Sequence, residues 1–363
     1  MARLTVTANK LNKRKFIPVR IGDKEGIVGE VLKGFTFEGE EVQGVPLPTP
    51  EKWYKDRDGY YYWGGGVMVT RQPGNYPWWL ENSLYSIPEL WSLKSEQIVT
   101  VAILDTGLSK HTDFNFTNIT GYNYLNNSAD FQNDIKGHGT HLAGIIAAQG
   151  QKIYGIAPES HLFIAKVCDD KGRPVLKAIK NALDDIYLDK FGGDKIRIIN
   201  MSFNLPAQNE EEFNMIKDIA SLLIKISNEK QCILVCSSGS VNDIDDSFPA
   251  RINECVAVGS LNKDLKRSAF SRKTAILDIM APGEAILSVN NIDSVKEDTG
   301  TSQAAAFVTG VCSLALQKMR DTSINADLFK KILYQTTYSD SYILQEYGYG
   351  IINPNKLVKT ILT

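Results

Sequence analysis

The chain has 363 residues, of which 40 are Lys or Arg and 42 are Asp or Glu, and its formal net charge at pH 7 is −2. This balance gives no reason to expect nucleic acid or an anionic membrane as a partner. No apolar run approaches the ~18 residues that a membrane span needs, and the first residues lack the apolar core and cleavage site of a secretory signal. Of the five cysteines, Cys232, Cys236, Cys255 and Cys312 lie in apolar runs, which favours buried reduced thiols and a cytoplasmic location.

Residues 1–70 carry short β-like runs broken by glycines. Short strands at close spacing, with turn signals between them, predict a small β-barrel. Five of its aromatic residues form either the core of the barrel or an exposed platform for a ligand; they are Trp53, Tyr60, Tyr61, Tyr62 and Trp63. Residues 71–78, which include Pro73 and Gly74, are predicted to form a linker.

From Trp79 to the end of the chain, strand-like and helix-like segments alternate. The strand-like runs are continuous and apolar: 98–104, 161–167, 196–202, 232–237, 255–260 and 276–280. The helix-like segments are 138–148, 175–188, 210–229, 302–318, 326–335 and 354–362, and within 210–229 one face carries Phe213, Ile216, Ile219, Leu222, Leu223 and Ile226. Continuous apolar strands joined by helices predict an α/β domain over 79–363, with a mostly parallel sheet covered on both sides.

Three polar residues stand at the ends of these predicted elements. Asp105, followed by Thr-Gly, comes directly after the first strand, and sites in parallel sheets form at the carboxyl ends of strands. His138 begins a helix within a Gly-His-Gly-Thr-His segment, and Ser302 begins the apolar helix 302–318. A serine there is by itself usually an N-cap. An Asp, a His and a Ser in this chain order are nevertheless a candidate catalytic triad.

Residues 79–362 resemble the subtilisin-type (S8) serine proteases. The segments around Asp105, His138 and Ser302 match the signature blocks of that family. Further blocks follow in the family's order: Gly-Ile-Ala-Pro at 155–158, Ile-Asn-Met-Ser at 199–202, Met-Ala-Pro-Gly at 280–283 and Tyr-Gly-Tyr-Gly at 347–350. The resemblance implies a three-layer fold and hydrolysis of peptide bonds through an acyl-enzyme. Ser302 would be the nucleophile, His138 the base and Asp105 the carboxylate that orients it. Residues 1–70 resemble a bacterial SH3-type domain.

The other histidines are expected to have no part in the chemistry. His141 matches the second, structural histidine of the family, and His111 and His161 are expected at the surface. Asp113 and Asp134, which flank the signature blocks, are expected to form turns.

The oxyanion hole is where the chain departs from the resemblance. The family's strand ends in Ala-Gly-Asn, with the Asn amide donating to the oxyanion, whereas here Gly239 is followed by Ser240. Three alternatives follow: Ser240 donates through its hydroxyl, Asn242 reaches in from the loop, or turnover is weak. The Ser302 amide is expected to be the other donor.

The substrate cleft departs as well. Ser202, Phe203 and Asn204 stand where the family carries Ser-Leu-Gly, an edge that pairs with the substrate backbone. The opposite wall would come from Ser237, Ser238 and Gly239. Larger residues at 203 and 204 would narrow the cleft and predict a selective processing enzyme, unless Phe203 packs inward.

We expect no metal and no cofactor. The segment 147–155 is shorter than the family's calcium loop and has no carboxylate, whereas Ca²⁺ requires six or more oxygen ligands. The first functional hypothesis is therefore an intracellular serine endopeptidase acting on peptides or proteins, with a barrel that binds a protein or peptide. The alternative is a weakly active or inactive scaffold of the same family that binds a peptide partner. Intact Asp105, His138 and Ser302 favour the first hypothesis, and Ser240 favours the second.

Overall fold

The computed structural model describes residues 2–6, 10–15, 27–32, 36–43, 52–58, 60–63, 67–70, 76–150, 152–190, 195–241, 248–321, 324–339 and 346–362. The chain forms two compact units, Met1–Tyr76 and Pro77–Thr363. Most of the predicted linker, residues 71–75, lies outside the described residues. Trp78, which the prediction placed in that linker, instead begins a short helix of the second unit.

The N-terminal unit contains an antiparallel sheet with the strand order β3-β2-β6-β5-β4-β1-β7. Its strands are β1 (Ala2–Val6), β2 (Lys10–Arg14), β3 (Ile27–Leu32), β4 (Thr36–Gln43), β5 (Lys52–Asp56), β6 (Tyr61–Trp63) and β7 (Val67–Thr70). Trp53 and Tyr62 are buried, and the Tyr62 hydroxyl donates to Asp56 Oδ2 at 2.8 Å. Tyr60 and Tyr61 are half-buried. The aromatic segment therefore supplies core residues from some positions and accessible rings from others.

The second unit is built on a parallel sheet with the order β14-β13-β12-β11-β8-β10-β9, which confirms the predicted parallel sheet. Its strands are β8 (Thr100–Asp105), β9 (Ile119–Asn123), β10 (His161–Lys166), β11 (Ile196–Met201), β12 (Ile233–Ser237), β13 (Cys255–Leu261) and β14 (Ile279–Pro282). The central strands are buried on both faces, which is why their sequences are continuously apolar. Asp105 is the last residue of β8, and Met201 at the end of β11 pairs with Leu104. The ends of these two neighbouring strands therefore lie side by side.

Helices cover both faces of this sheet. They are α1 (Trp78–Glu81), α2 (Ile87–Leu90), α3 (His138–Ala147), α4 (Leu176–Tyr187), α5 (Glu210–Lys230), α6 (Thr301–Lys318), α7 (Ala326–Gln335) and α8 (Pro354–Leu362). Helices α4 and α5 pack against one face and share its apolar core, and α3 and α6 pack against the other. A hairpin of β15 (Ile286–Val289) and β16 (Val295–Asp298) packs on α3 and leads into α6.

Phe213 and the β15–β16 hairpin are further differences from the sequence expectations. Phe213 was predicted on the buried face of α5 but is 46% exposed, because it lies in the first turn, before the buried stripe begins at Ile216. The β15–β16 hairpin was not predicted. Its second strand has largely exposed residues, and it therefore lacks the alternating apolar pattern from which strands are recognised.

Candidate active site

Asp105 is a buried carboxylate whose hydrogen bonds fix its orientation. It is 1% exposed, and its Oδ1 accepts hydrogen bonds from the Thr106 N–H at 2.8 Å and from Thr106 Oγ1 at 3.2 Å. The same oxygen lies 2.8 Å from Nδ1 of His138. Because this carboxylate is already held by Thr106, the imidazole meets an acceptor in a fixed position.

His138 is the first residue of α3, and the preceding loop determines where that helix begins. Asp134 accepts hydrogen bonds from the Gly137 and Thr140 N–H groups, each at 2.8 Å, and from Thr140 Oγ1 at 2.6 Å. Asp134, expected to form a turn, thus caps amides at the start of the helix that have no partner within it. Gly139 approaches β8 so closely that an added Cβ would collide with the Gly107 carbonyl oxygen. The repeated glycines of this segment therefore let the helix bring His138 to Asp105.

The imidazole of His138 is partly accessible, with 25% of its side chain exposed. Burial lowers its pKa, but the charge of Asp105 and the hydrogen bond with it, together with the charges of Asp298 and Asp134, outweigh burial, and the pKa is raised above 6.5. Nε2 of His138 makes no hydrogen bond within the described part of the chain, so it can accept a proton from a nucleophile.

Ser302 is in the first turn of α6, and every other residue of that helix is buried. Its Oγ donates to the Ser202 carbonyl oxygen at 3.4 Å, and Ser202 Oγ donates to the Ser302 carbonyl oxygen at 3.4 Å. Ser202 directly follows β11, the strand next to β8. The structure therefore brings Asp105, His138 and Ser302 to the carboxyl ends of two adjacent strands.

Two residues that the sequence analysis did not single out support Ser302. Asn200 and Thr309 are both fully buried. Thr309 Oγ1 donates to Asn200 Oδ1 at 2.9 Å, and Asn200 Nδ2 donates to Ser202 Oγ at 3.1 Å. This chain of hydrogen bonds ties α6 to β11. A polar residue within an apolar strand or helix is the signal that could have revealed it, since buried polar groups need partners.

The segment predicted to hold the oxyanion donor follows β12. Ser237 and Ser238 are buried, Gly239 has a φ of 88°, and Ser240 pairs with Ser271 in a β-bridge. Ser240 is half-buried at this edge. Asn242 lies outside the described residues. The first amides of a helix have no partner within it, and the Ser302 N–H is among those of α6.

The structure corrects the expectation for the cleft wall. Phe203 is 8% exposed and belongs to the core shared with α4 and α5, so its ring packs inward and does not narrow the cleft. Asn204 is half-buried, and its Oδ1 accepts a hydrogen bond from the Phe248 N–H at 3.0 Å. The Leu205 N–H donates to the Phe248 carbonyl oxygen at 3.1 Å. Of Phe203 and Asn204, only Asn204 therefore lies at the edge of the predicted cleft.

The other histidines have structural environments. His141 is fully buried, and its Nε2 bonds to the Lys296 carbonyl oxygen at 3.2 Å. The expectation of a surface position for His111 is wrong. It is 5% exposed, because its two ring nitrogens bond to the Ser294 carbonyl oxygen and the Asp113 N–H and thereby join the loop after β8 to the β15–β16 hairpin. His161 is half-buried at the start of β10 and not exposed.

The loop 147–155, which is predicted to bind no metal, makes hydrogen bonds with Asp113, a fully buried residue. Its carboxylate accepts hydrogen bonds from the Lys152 and Ile153 N–H groups, and its carbonyl oxygen accepts one from Gln149. Within the described ranges, no group of three or more His, Cys, Asp or Glu side chains is arranged to hold a metal ion. The same residues include no helix that is both long and apolar enough to cross a membrane.

Comparison with known proteins shows the family of the chain. Residues 96–350 match the model of the subtilase family, peptidase S8. The intracellular serine protease of Paenibacillus polymyxa is 30% identical over 262 residues, which cover 68% of this chain and 75% of that protein. The major intracellular serine protease of Bacillus subtilis is 32% identical over 268 residues (68% and 80%), and subtilisin BL of Lederbergia lenta is 31% identical over 257 residues (70% and 88%). The chain therefore belongs to the subtilase family and is a subtilisin-like serine endopeptidase.

Proposed function

We propose that Ser302, His138 and Asp105 are the catalytic triad of this endopeptidase. The 2.8 Å contact between His138 Nδ1 and Asp105 Oδ1 is the observation that carries the assignment. Ser302 gives further support, because it is the one residue of α6 that is not buried. Its hydroxyl donates to the Ser202 carbonyl oxygen, at the end of the strand next to that of Asp105.

The reaction follows from these positions. Ser302 Oγ attacks the carbonyl carbon of the scissile peptide bond while His138 Nε2 takes the hydroxyl proton. Asp105 keeps the imidazole oriented through Nδ1 and stabilises the imidazolium. When the tetrahedral intermediate collapses, the C–N bond breaks and His138 gives its proton to the leaving amine, which leaves an acyl group on Ser302. Water, deprotonated by His138, then hydrolyses the ester and restores the enzyme.

The oxyanion of the tetrahedral intermediate needs donors that are in place before the reaction. The Ser302 N–H at the start of α6 is one candidate, since the helix itself leaves that amide without a partner. The second candidate is the Ser240 hydroxyl, at the half-buried edge that follows β12. Asn242 remains the alternative to Ser240.

The substrate is a peptide or protein chain whose backbone adds to the edge at Asn204, facing Gly239. Ser202, Ser237 and Ser238, which were expected to line the cleft, are buried. Asn204 is fastened to Phe248, so its side chain occupies the edge at a position where glycine would leave space. We infer restricted, processing-type specificity from this one residue, because Phe203 packs into the core.

The N-terminal unit is proposed to be an SH3-like module that binds a protein or peptide partner. Its antiparallel sheet and the accessible rings of Tyr60 and Tyr61 support this role. The ammonium groups of Lys13 and Lys55 lie 3.9 Å and 5.5 Å from the centres of these two rings. An aromatic and cationic surface of this kind suits a ligand with carboxylates or aromatic groups.

The protein is proposed to act inside the cell. All five cysteines are free and buried, as suits a reducing compartment, and two of the relatives are named as intracellular proteases.

A fluorophosphonate probe tests the proposed triad, because it phosphonylates only a serine that a base has activated. We expect stoichiometric labelling of Ser302, none in Ser302→Ala, and labelling slower by orders of magnitude in His138→Ala, with all three proteins folded. Absence of labelling in the folded wild-type protein would instead support the alternative of an inactive peptide-binding scaffold.

A further inference from the structure

Lys166 is a buried lysine at the end of β10, on the strand next to Asp105. It is 4% exposed, and it is the register partner of Asp105 in the β8–β10 ladder. Burying an ammonium is costly unless hydrogen bonds and an opposite charge compensate. Here Nζ donates to the Thr106 carbonyl oxygen at 2.7 Å and lies 3.3 Å from Asp170 Oδ1. Packing alone does not explain why the Lys166 ammonium is buried at this position.

The carbonyl that Lys166 holds belongs to the turn that orients the two catalytic groups. Thr106 donates to Asp105 Oδ1 through both its N–H and its hydroxyl, and its Oγ1 accepts the Gly139 N–H at 2.9 Å. The Lys166 side chain also packs against the next residue of the turn, since a Cβ on Gly107 would lie 3.4 Å from Lys166 Cδ. One ammonium thus anchors the turn that fixes the Asp105 carboxylate and the start of α3.

We propose that Lys166 is a positioning residue for the Asp105–His138 pair, an inference that rests on the proposed triad. Through Thr106 it holds the Asp105 carboxylate at hydrogen-bonding distance from the imidazole. The imidazole of His138 is surrounded by negative charge.

That negative charge comes from three elements. Asp105 belongs to β8, Asp298 to β16 and Asp134 to the loop before α3, and all three favour the protonated imidazole. The nearest titrating neighbour on the same helix is His141. Asp105 contributes the largest part, so the pKa of His138 depends on how closely its carboxylate is held to the imidazole.

The test is Lys166→Met in the full-length enzyme, assayed on a peptide substrate over a range of pH. We expect kcat to fall about ten- to hundredfold, as misplacement of a catalytic group does, while KM stays within about twofold. The acidic limb of the kcat/KM profile should move to lower pH, because a displaced Asp105 carboxylate raises the pKa of His138 less. Lys166→Arg, which keeps a donor toward the Thr106 carbonyl, should return that limb to its wild-type position.

Lys318→Met is the matched control. Lys318 is also buried and also donates to a backbone carbonyl, that of Leu93 at 2.7 Å, but it lies at the opposite end of α6 from Ser302. We expect Lys318→Met to lose stability as Lys166→Met does, without any change in the pH profile. Equal effects of the two substitutions on that profile would overturn the proposal.

A second measurement separates this proposal from the triad itself. The His138 ring protons are titrated by NMR in Ser302→Ala, with and without Lys166→Met, so that no turnover is needed. A downward shift supports the proposal, and an unchanged or raised midpoint overturns it; failure of the triad would show instead as unlabelled wild-type enzyme. Should Lys166→Met not fold, Lys166→Gln, whose amide ends one atom short of the position of Nζ, takes its place, and we expect the same downward shift.

Discussion

At the scale of single residues, the charge of Asp105 sets the protonation of His138. Burial lowers the pKa of the imidazole, and Asp105, together with Asp298 and Asp134, more than offsets this, so the net pKa lies above 6.5. The base works when neutral, so activity should rise with increasing pH through that raised pKa.

Asp105→Asn removes the charge and leaves the burial. The pKa of His138 should therefore fall, and the acidic limb of kcat should move to lower pH. The plateau of kcat should drop by about four orders of magnitude, since the amide favours the wrong imidazole tautomer. Rate–pH profiles of the two proteins measure both effects. An unmoved acidic limb would mean that another group, and not His138, titrates in the rate.

Ser240 is the residue at which the chemistry departs from the family. If its hydroxyl donates to the oxyanion, Ser240→Ala should lower kcat by about two to three orders of magnitude, as loss of one such donor does in subtilisin. Ser240→Asn should raise kcat with little change in KM, because the gain acts on the transition state alone. If kcat falls in Asn242→Ala and not in Ser240→Ala, Asn242 is the donor. If kcat is unchanged in all three variants, the oxyanion hole consists of backbone amides alone.

At the scale of elements, the apolar pattern of the sequence predicted the strands and the helix that are buried on all sides. The strands β8, β11 and β12 and the helix α6 were found in the sequence because their burial leaves no polar face. Phe213 was misplaced because helical spacing cannot show where the partner surface ends. The β15–β16 hairpin was missed because its second strand is largely exposed and shows no alternating apolar pattern.

The contact between His141 and β16 predicts a dependence of stability on pH. Burial lowers the pKa of His141 to about 4, whereas the unfolded value is 6.5. Between these values the unfolded state binds the proton, so the contribution of His141 is present above pH 6.5 and is lost as pH falls toward 4. The shift corresponds to about 3 kcal/mol.

Urea unfolding of the wild type and of His141→Gln isolates this effect from the opposite contribution of His138, whose pKa is raised. The difference between the two free energies of unfolding should favour the wild type more at about pH 8 than at about pH 4. A difference that does not vary with pH would show that His141 is not buried in its neutral form.

At the scale of the whole molecule, the two units have separate sheets and compact cores. Deleting residues 1–76 should therefore leave a folded peptidase unit with unchanged kcat/KM on short peptides. Circular dichroism, thermal unfolding and a peptide assay check this. Insoluble protein that is rescued by adding the N-terminal unit in trans would identify that unit as a folding aid.

The order of the Asp, His and Ser motifs allowed the candidate site to be predicted from sequence, because each stands at the end of an apolar element. What holds those residues in place could not be predicted. The bonds from Thr106 to Gly139 and Lys166, and the Asn200–Thr309 link, depend on contacts between segments far apart in the chain. Such contacts leave no local periodicity in the sequence.

The most direct measurement is to trap the covalent intermediate. A peptide ester substrate is mixed with the enzyme, quenched with acid within milliseconds and digested, and the acylated peptide is located by mass spectrometry. The account predicts an acyl group on Ser302, a burst of one leaving group per enzyme, and neither in Ser302→Ala. An acyl group on another residue, or undiminished turnover by Ser302→Ala, would contradict it.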